Sequence, residues 1–129
     1  MGEELLVANR FAAGAEFVKE FNEFTPVAVA LWIQKAESEL VYLHIACDET
    51  AGVSVRQARE EALRRLFDKR SPWLQPYRVN VIGATDPIAR EAIAYRDRFV
   101  TSDVIPYEGT SIGGVGIESA YIYPPVAAM

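Results

Sequence analysis

His44 and Cys47 are the only imidazole and the only thiol in the chain, so a general base or nucleophile of either kind must be one of them. They stand three positions apart in the run ELVYLHIACDE. In an extended strand that spacing sends the two side chains to opposite faces, which argues against a Cys–His dyad built from this pair alone. His44 is then expected as a packed or hydrogen-bonded sheet residue, and Cys47 as a small core residue. The two supply too few soft ligands for a structural zinc, so no metal and no cofactor are expected. The carboxylate pairs Glu37 with Glu39, Asp48 with Glu49 and Asp86 with Glu91 have the chemistry to share a proton or hold a cation. They fall on a turn, a strand end and a helix start, where acids are ordinary. The stretch GTSIGGVG invites a phosphate reading, because glycines let backbone amides approach an anion. It precedes a strand rather than a helix and lacks the Lys and Ser or Thr of a P-loop, so a hairpin turn is expected. No Glu-x-Lys, serine elbow or dinucleotide fingerprint is present, and no catalytic residue is assigned.

Two groupings remain. Trp32, Tyr42, His44 and, from the tail, Tyr121 combine aromatic surface with a few polar atoms, the usual composition of a ligand pocket or a buried contact. Arg56, Arg59, Arg64, Arg65 and Arg70 crowd one short segment and form a candidate contact surface for a phosphate backbone or an acidic patch. The plainer expectation for them is a solvated helix face offset by Glu60, Glu61 and Asp68. Charge is uneven along the chain: residues 1–50 carry −6, residues 51–100 carry +4 and residues 101–129 carry −3, within a net −5. Such blocks bear on association rather than on fold.

The elements that must position these groups follow from periodicity. Residues 3–24 read as a helix whose apolar positions, Leu6, Val7, Ala8, Phe11, Ala15, Phe17, Val18 and Phe21, fill an arc of roughly 200°, wider than one packing stripe needs. It should touch more than one surface, and Gly14 weakens its middle. Residues 27–35 and 40–47 read as two strands around a polar turn at 36–39. Alternation assigns Val27, Val29, Leu31 and Ile33, with Val41, Leu43, Ile45 and Cys47, to the core face, and Ala28, Ala30, Trp32 and Gln34, with Tyr42, His44 and Ala46, to a half-apolar reverse face. Ser54 and Gln57 form a capping box for a second helix to about residue 69, with Val55, Ala58, Ala62, Leu63, Leu66 and Phe67 as its buried stripe. Residues 77–83 alternate as a strand, Asp86-Pro87 starts a third helix, and 101–107 and 117–123 are expected as a final hairpin.

The resulting order αββαβαββ predicts one α+β domain over residues 1–129, a mixed, mostly antiparallel five-stranded sheet packed with three helices. The composition, 50% hydrophobic and 24% charged in 129 residues, excludes a disordered tail, a collagen-like repeat and a coiled coil. No apolar run reaches the length of about 20 residues that spans a bilayer, and the acidic start MGEELL is unlike a secretory leader. The segments AVALWIQ, ELVYLHIA, GATDPIA and IGGVGIESAYIYP, within residues 27–124, resemble a group of small uncharacterised bacterial proteins. The resemblance implies a shared fold and a bacterial, cytoplasmic origin, with no activity to carry over. The functional expectation is a non-enzymatic binding or assembly module that self-associates as a homo-oligomer through the first helix or the aromatic face. A nucleic-acid-contacting accessory protein using 54–70 and a small-molecule-binding domain with an aromatic pocket are the alternatives.

Overall fold

A computed structural model describes the backbone of residues 2–129 and the side chains from residue 8 onward. The helices are α1 (Gly2–Phe24), α2 (Val55–Asp68) and α3 (Pro87–Arg96); the strands are β1 (Val27–Lys35), β2 (Val41–Cys47), β3 (Val79–Gly83), β4 (Ile105–Pro106), β5 (Ser111–Ile112) and β6 (Val115–Ile122). The two helix starts form where cap chemistry places them. The Ser54 hydroxyl accepts the Gln57 N–H at 3.1 Å while the Gln57 side chain accepts the Ser54 N–H at 2.9 Å, and Asp86 accepts the Ile88 N–H at 2.9 Å ahead of Pro87.

The chain is α+β, and its sheet is six-stranded and mixed rather than five-stranded. The order is β3–β2–β1–β6–β4, with β5 paired to the start of β6. Only β2 and β3 run parallel, joined through α2. The tail accounts for the extra strand. Pro106 has no N–H to donate, so the expected strand at 101–107 shrinks to the two residues of β4. Gly113 and Gly114, at φ of 58° and 83°, then turn the chain back so that Ser111 and Ile112 pair with β6. Tyr77, expected in a strand, lies in a single 3₁₀ turn at Pro76–Arg78.

Register overturns the expected face assignment. Ile33 pairs with Tyr42, Leu31 with His44 and Val29 with Ala46, whereas Trp32 pairs with Leu43 and Ala30 with Ile45. Directly paired residues share a face, so Trp32 is on the opposite side of the sheet from Tyr42 and His44. Both faces are covered by this chain, as the near-continuous apolar run of β1 requires. On one face α1 and α2 bury Phe17, Val18, Phe21, Ala58, Ala62 and Leu66 against Trp32, Leu43, Ile45, Val81 and Tyr123. On the other, α3 and the β5–β6 hairpin bury Ala89, Ala92 and Ile112 against Val29, Leu31, Ile33 and Ile122. Of the broad apolar arc expected for α1, Ala8 is exposed, Phe11 and Ala15 are half-buried, and the side chains of Leu6 and Val7 lie outside the described residues.

Candidate functional site

The four aromatic and polar residues grouped from the sequence separate into two pairs. Trp32 and Tyr121 are direct cross-strand neighbours under α1, and Tyr42 and His44 lie on the α3 side. On the α1 side, the Trp32 indole N–H donates to the Tyr123 hydroxyl at 2.8 Å, and that hydroxyl donates to the Phe11 carbonyl at 2.7 Å. This chain ties the first helix to the sheet from beneath. Burial raises the Tyr123 pKa, so its hydroxyl stays neutral and acts as a structural donor. A side chain at position 14 would run into the Tyr123 hydroxyl and the Trp32 indole. Gly14 is therefore the residue that lets α1 approach this pair rather than a mere weak point. Further toward the strand ends, the Arg10 guanidinium lies over the Trp32 ring, 5.7 Å from its centroid. Phe11 packs on Tyr121 at 5.1 Å. Two cavities of about 200 and 150 Å³ flank Arg10, and both reach Trp32 and Val41.

His44 is 4% exposed. Burial lowers its pKa, which keeps the ring neutral, and its Nδ1 has no hydrogen-bond partner among the described residues. Cys47 is buried on the α1 side, where burial, with Glu49 nearby, pushes its thiol up to about 11. A thiol so shifted is a poor nucleophile at neutral pH. Three of the six candidate carboxylates are similarly occupied. Asp48 accepts from the Thr50 amide and hydroxyl at 3.0 and 2.6 Å, and Asp86 caps α3. Glu91 accepts the Gly113 N–H and the Tyr107 hydroxyl, both at 3.0 Å. The glycine-rich turn thus has its inward amide bound to a carboxylate of its own chain. No group of three His, Cys, Asp or Glu side chains stands ready for a metal among the described residues.

The arginines of α2 are drawn into the molecule to different degrees. Arg65 lies 2.6 Å from Glu61, donates to the Glu20 carbonyl at 3.2 Å and sits over the Phe21 and Phe24 rings. Arg64 bridges Glu61 at 2.6 Å and Asp68 at 3.2 Å, and Lys69 reaches Glu16 and Glu20 at 2.8 and 3.3 Å. The two arginines beside Glu61 hold its carboxyl down to about 2. Arg56 pairs with Glu60 at 3.4 Å, and Arg59 donates to the Val81 carbonyl on the free edge of β3 at 3.0 Å. Among the described residues, Arg70 has no ion pair. Part of the acidic first block therefore meets part of the basic second block inside one chain, between α1 and α2.

One surface was not anticipated. Leu63 and Phe67, expected in the buried stripe of α2, are 39% and 60% exposed, and Tyr77 beside them is 69% exposed. The buried positions Ala58, Ala62 and Leu66 make a narrow seam. At 100° per residue Leu63 and Phe67 lie about 60° and 100° around the helix from Leu66. That offset was present in the spacing. Leu63 and Tyr77 line an open groove of about 430 Å³ along β3, the sheet edge on that side. Among the described residues no helix is long and apolar enough to cross a membrane. No protein-family model, curated protein or solved structure matches the chain.

Proposed function

We propose that this protein is a non-catalytic assembly module that acts as a homodimer, and that its contact surface is the outer flank of α2 beside the β3 edge. The exposure of Leu63, Phe67 and Tyr77 together on that flank carries the reading. A second copy fits better than an unrelated partner because the flank is self-complementary. Glu60 precedes Leu63 by three residues and Arg70 follows Phe67 by three. Antiparallel packing about a two-fold midway between Leu63 and Phe67 sets Leu63 of one copy on Phe67 of the other, and brings the Glu60 end of one α2 to the Arg70 end of the other. The strand at the opposite sheet edge, β4, is only two residues long and ends in Pro106, so it has little free backbone to pair. One usable edge closes as a pair instead of growing into a fibre.

The buried His44 with its lowered pKa, the raised Cys47 thiol and the engagement of Asp48, Asp86 and Glu91 by backbone amides favour binding over catalysis. The ion pairs of Arg64, Arg65 and Lys69 leave the helix with less free charge for a phosphate backbone. The unpaired single cysteine and the resemblance to bacterial proteins support a bacterial cytoplasmic setting. The test is disulfide trapping, for which the buried Cys47 is a silent background. A mixture of Leu63→Cys and Phe67→Cys chains should oxidise to a linked pair faster than a Lys19→Cys control. Oxidation of the mixture no faster than the control would overturn the proposal.

A further inference from the structure

We propose that the larger cavity beside Arg10 binds a small aromatic carboxylate. The cavity, about 200 Å³, is walled by Arg10 and Trp32 on one side and by Trp73, Gln75 and Arg78 of the segment before β3 on the other. Arg10 is not a loose surface cation. Its guanidinium carbon stands 5.7 Å from the centroid of the Trp32 ring, and Trp32 is itself fixed by its bond to Tyr123, so the arginine rests against a fixed aromatic surface before any ligand arrives. Among the described residues neither Arg10 nor Arg78 has a carboxylate within ion-pair distance, in contrast with Arg64 and Arg65. Glu39 is the one acid on the wall, so two arginines and a single carboxylate line the cavity, and the Arg78 guanidinium also lies 5.8 Å from the centroid of the Tyr77 ring. A planar anion is the ligand that two such forks recognise. Trp73, half-buried in that wall, supplies the flat apolar surface for a ring. The volume falls below the roughly 300 Å³ at which drug-sized pockets begin, which limits the occupant to about one ring and its acid group.

The chain's two tryptophans, Trp32 and Trp73, both line this cavity, so intrinsic fluorescence reports on it directly. Benzoate is the probe, benzamide its uncharged match and acetate the anion without a ring. Benzoate should quench saturably, with benzamide and acetate weaker by about tenfold or more, the worth of one charge-assisted contact. Arg78→Met and Arg10→Met should each lower benzoate affinity by about tenfold with the far-ultraviolet dichroism unchanged. Should Arg10→Met unfold the chain, Arg78→Met carries the test alone, because Arg78 reaches the cavity from a short 3₁₀ turn. No saturable response to benzoate up to about 10 mM would overturn the proposal. Equal binding of benzamide, or wild-type affinity in Arg78→Met, would do the same.

Discussion

The two flanks of α2 teach opposite lessons about what a side chain's chemistry says of its place. On the α1-facing flank, Glu61, Arg65 and Lys69 form ion pairs, and Arg65 and Lys69 reach acceptors on the neighbouring helix. On the β3-facing flank, Leu63 and Phe67 stand uncovered. The charged flank, whose composition suggests an external partner, is largely satisfied within the chain. The apolar flank, whose composition suggests core, faces outward. Composition sorts residues by what they can contact, and only the angular position around the helix decides what they do contact.

The largest effect that would break this contrast comes from the apolar flank. Replacing Leu63 and Phe67 together by Asp should weaken self-association by about a hundredfold or more, since two side chains are lost from the contact in each copy. Sedimentation velocity across a dilution series reads it. The double variant Glu61→Gln, Lys69→Gln should leave the association constant unchanged while lowering stability, and an equal loss of association there would erase the distinction between the flanks. Next is Arg65→Ala, which removes a half-buried side chain packed on Phe21 and Phe24 together with its bonds to Glu61 and Glu20. A loss of about 1–2 kcal/mol in urea unfolding is expected.

A pH measurement sharpens the same point. The Glu61 carboxyl is held down to about 2 in the folded chain, against 4.5 for an unperturbed glutamate. A carboxyl depressed on folding stabilises at pH above its unfolded value, and that contribution fades as pH falls from 4.5 toward 2. Glu61→Gln should therefore be less stable than the wild type at neutral pH, and the two should converge at the acid end of that window. Curves that stay parallel throughout would show that the pair contributes nothing. The smallest effect belongs to Lys69→Ala. The pairs it removes are exposed, so the unfolding midpoint in urea should barely move, and less still in high salt.

How far the residues announce the structure varies by element. The capping box at Ser54 and the Asp86-Pro87 start were legible because each rests on local chemistry, whereas the reverse face of β1, expected to be half-apolar, is buried as well. The faces of the first hairpin were misassigned although the needed information was present. A four-residue turn at 36–39 sets position 35 opposite 40, and hence Ile33 opposite Tyr42, which is the observed pairing. Alternation within each strand is ambiguous until the connection fixes how the two strands match. That parity separates Trp32 from Tyr42 and His44 and divides the aromatic grouping. The arginine cavity was not legible, because Arg10, Trp73 and Arg78 converge only through packing of α1 and the segment before β3 against the same sheet face. The two-residue strands β4 and β5 were obscured for a different reason, since their pairing depends on Pro106 and the Gly113–Gly114 turn more than on any apolar alternation.

The claim that α2's apolar flank joins two copies is tested most directly by the mass of the unmodified protein in solution. Light scattering at a concentration of about 100 μM, where a contact with a dissociation constant of about 10 μM or tighter is mostly occupied, is predicted to give twice the chain mass of 14.3 kDa. It should fall to a single chain mass in the Leu63→Asp, Phe67→Asp variant. A wild-type protein that remains at 14.3 kDa under those conditions contradicts the account.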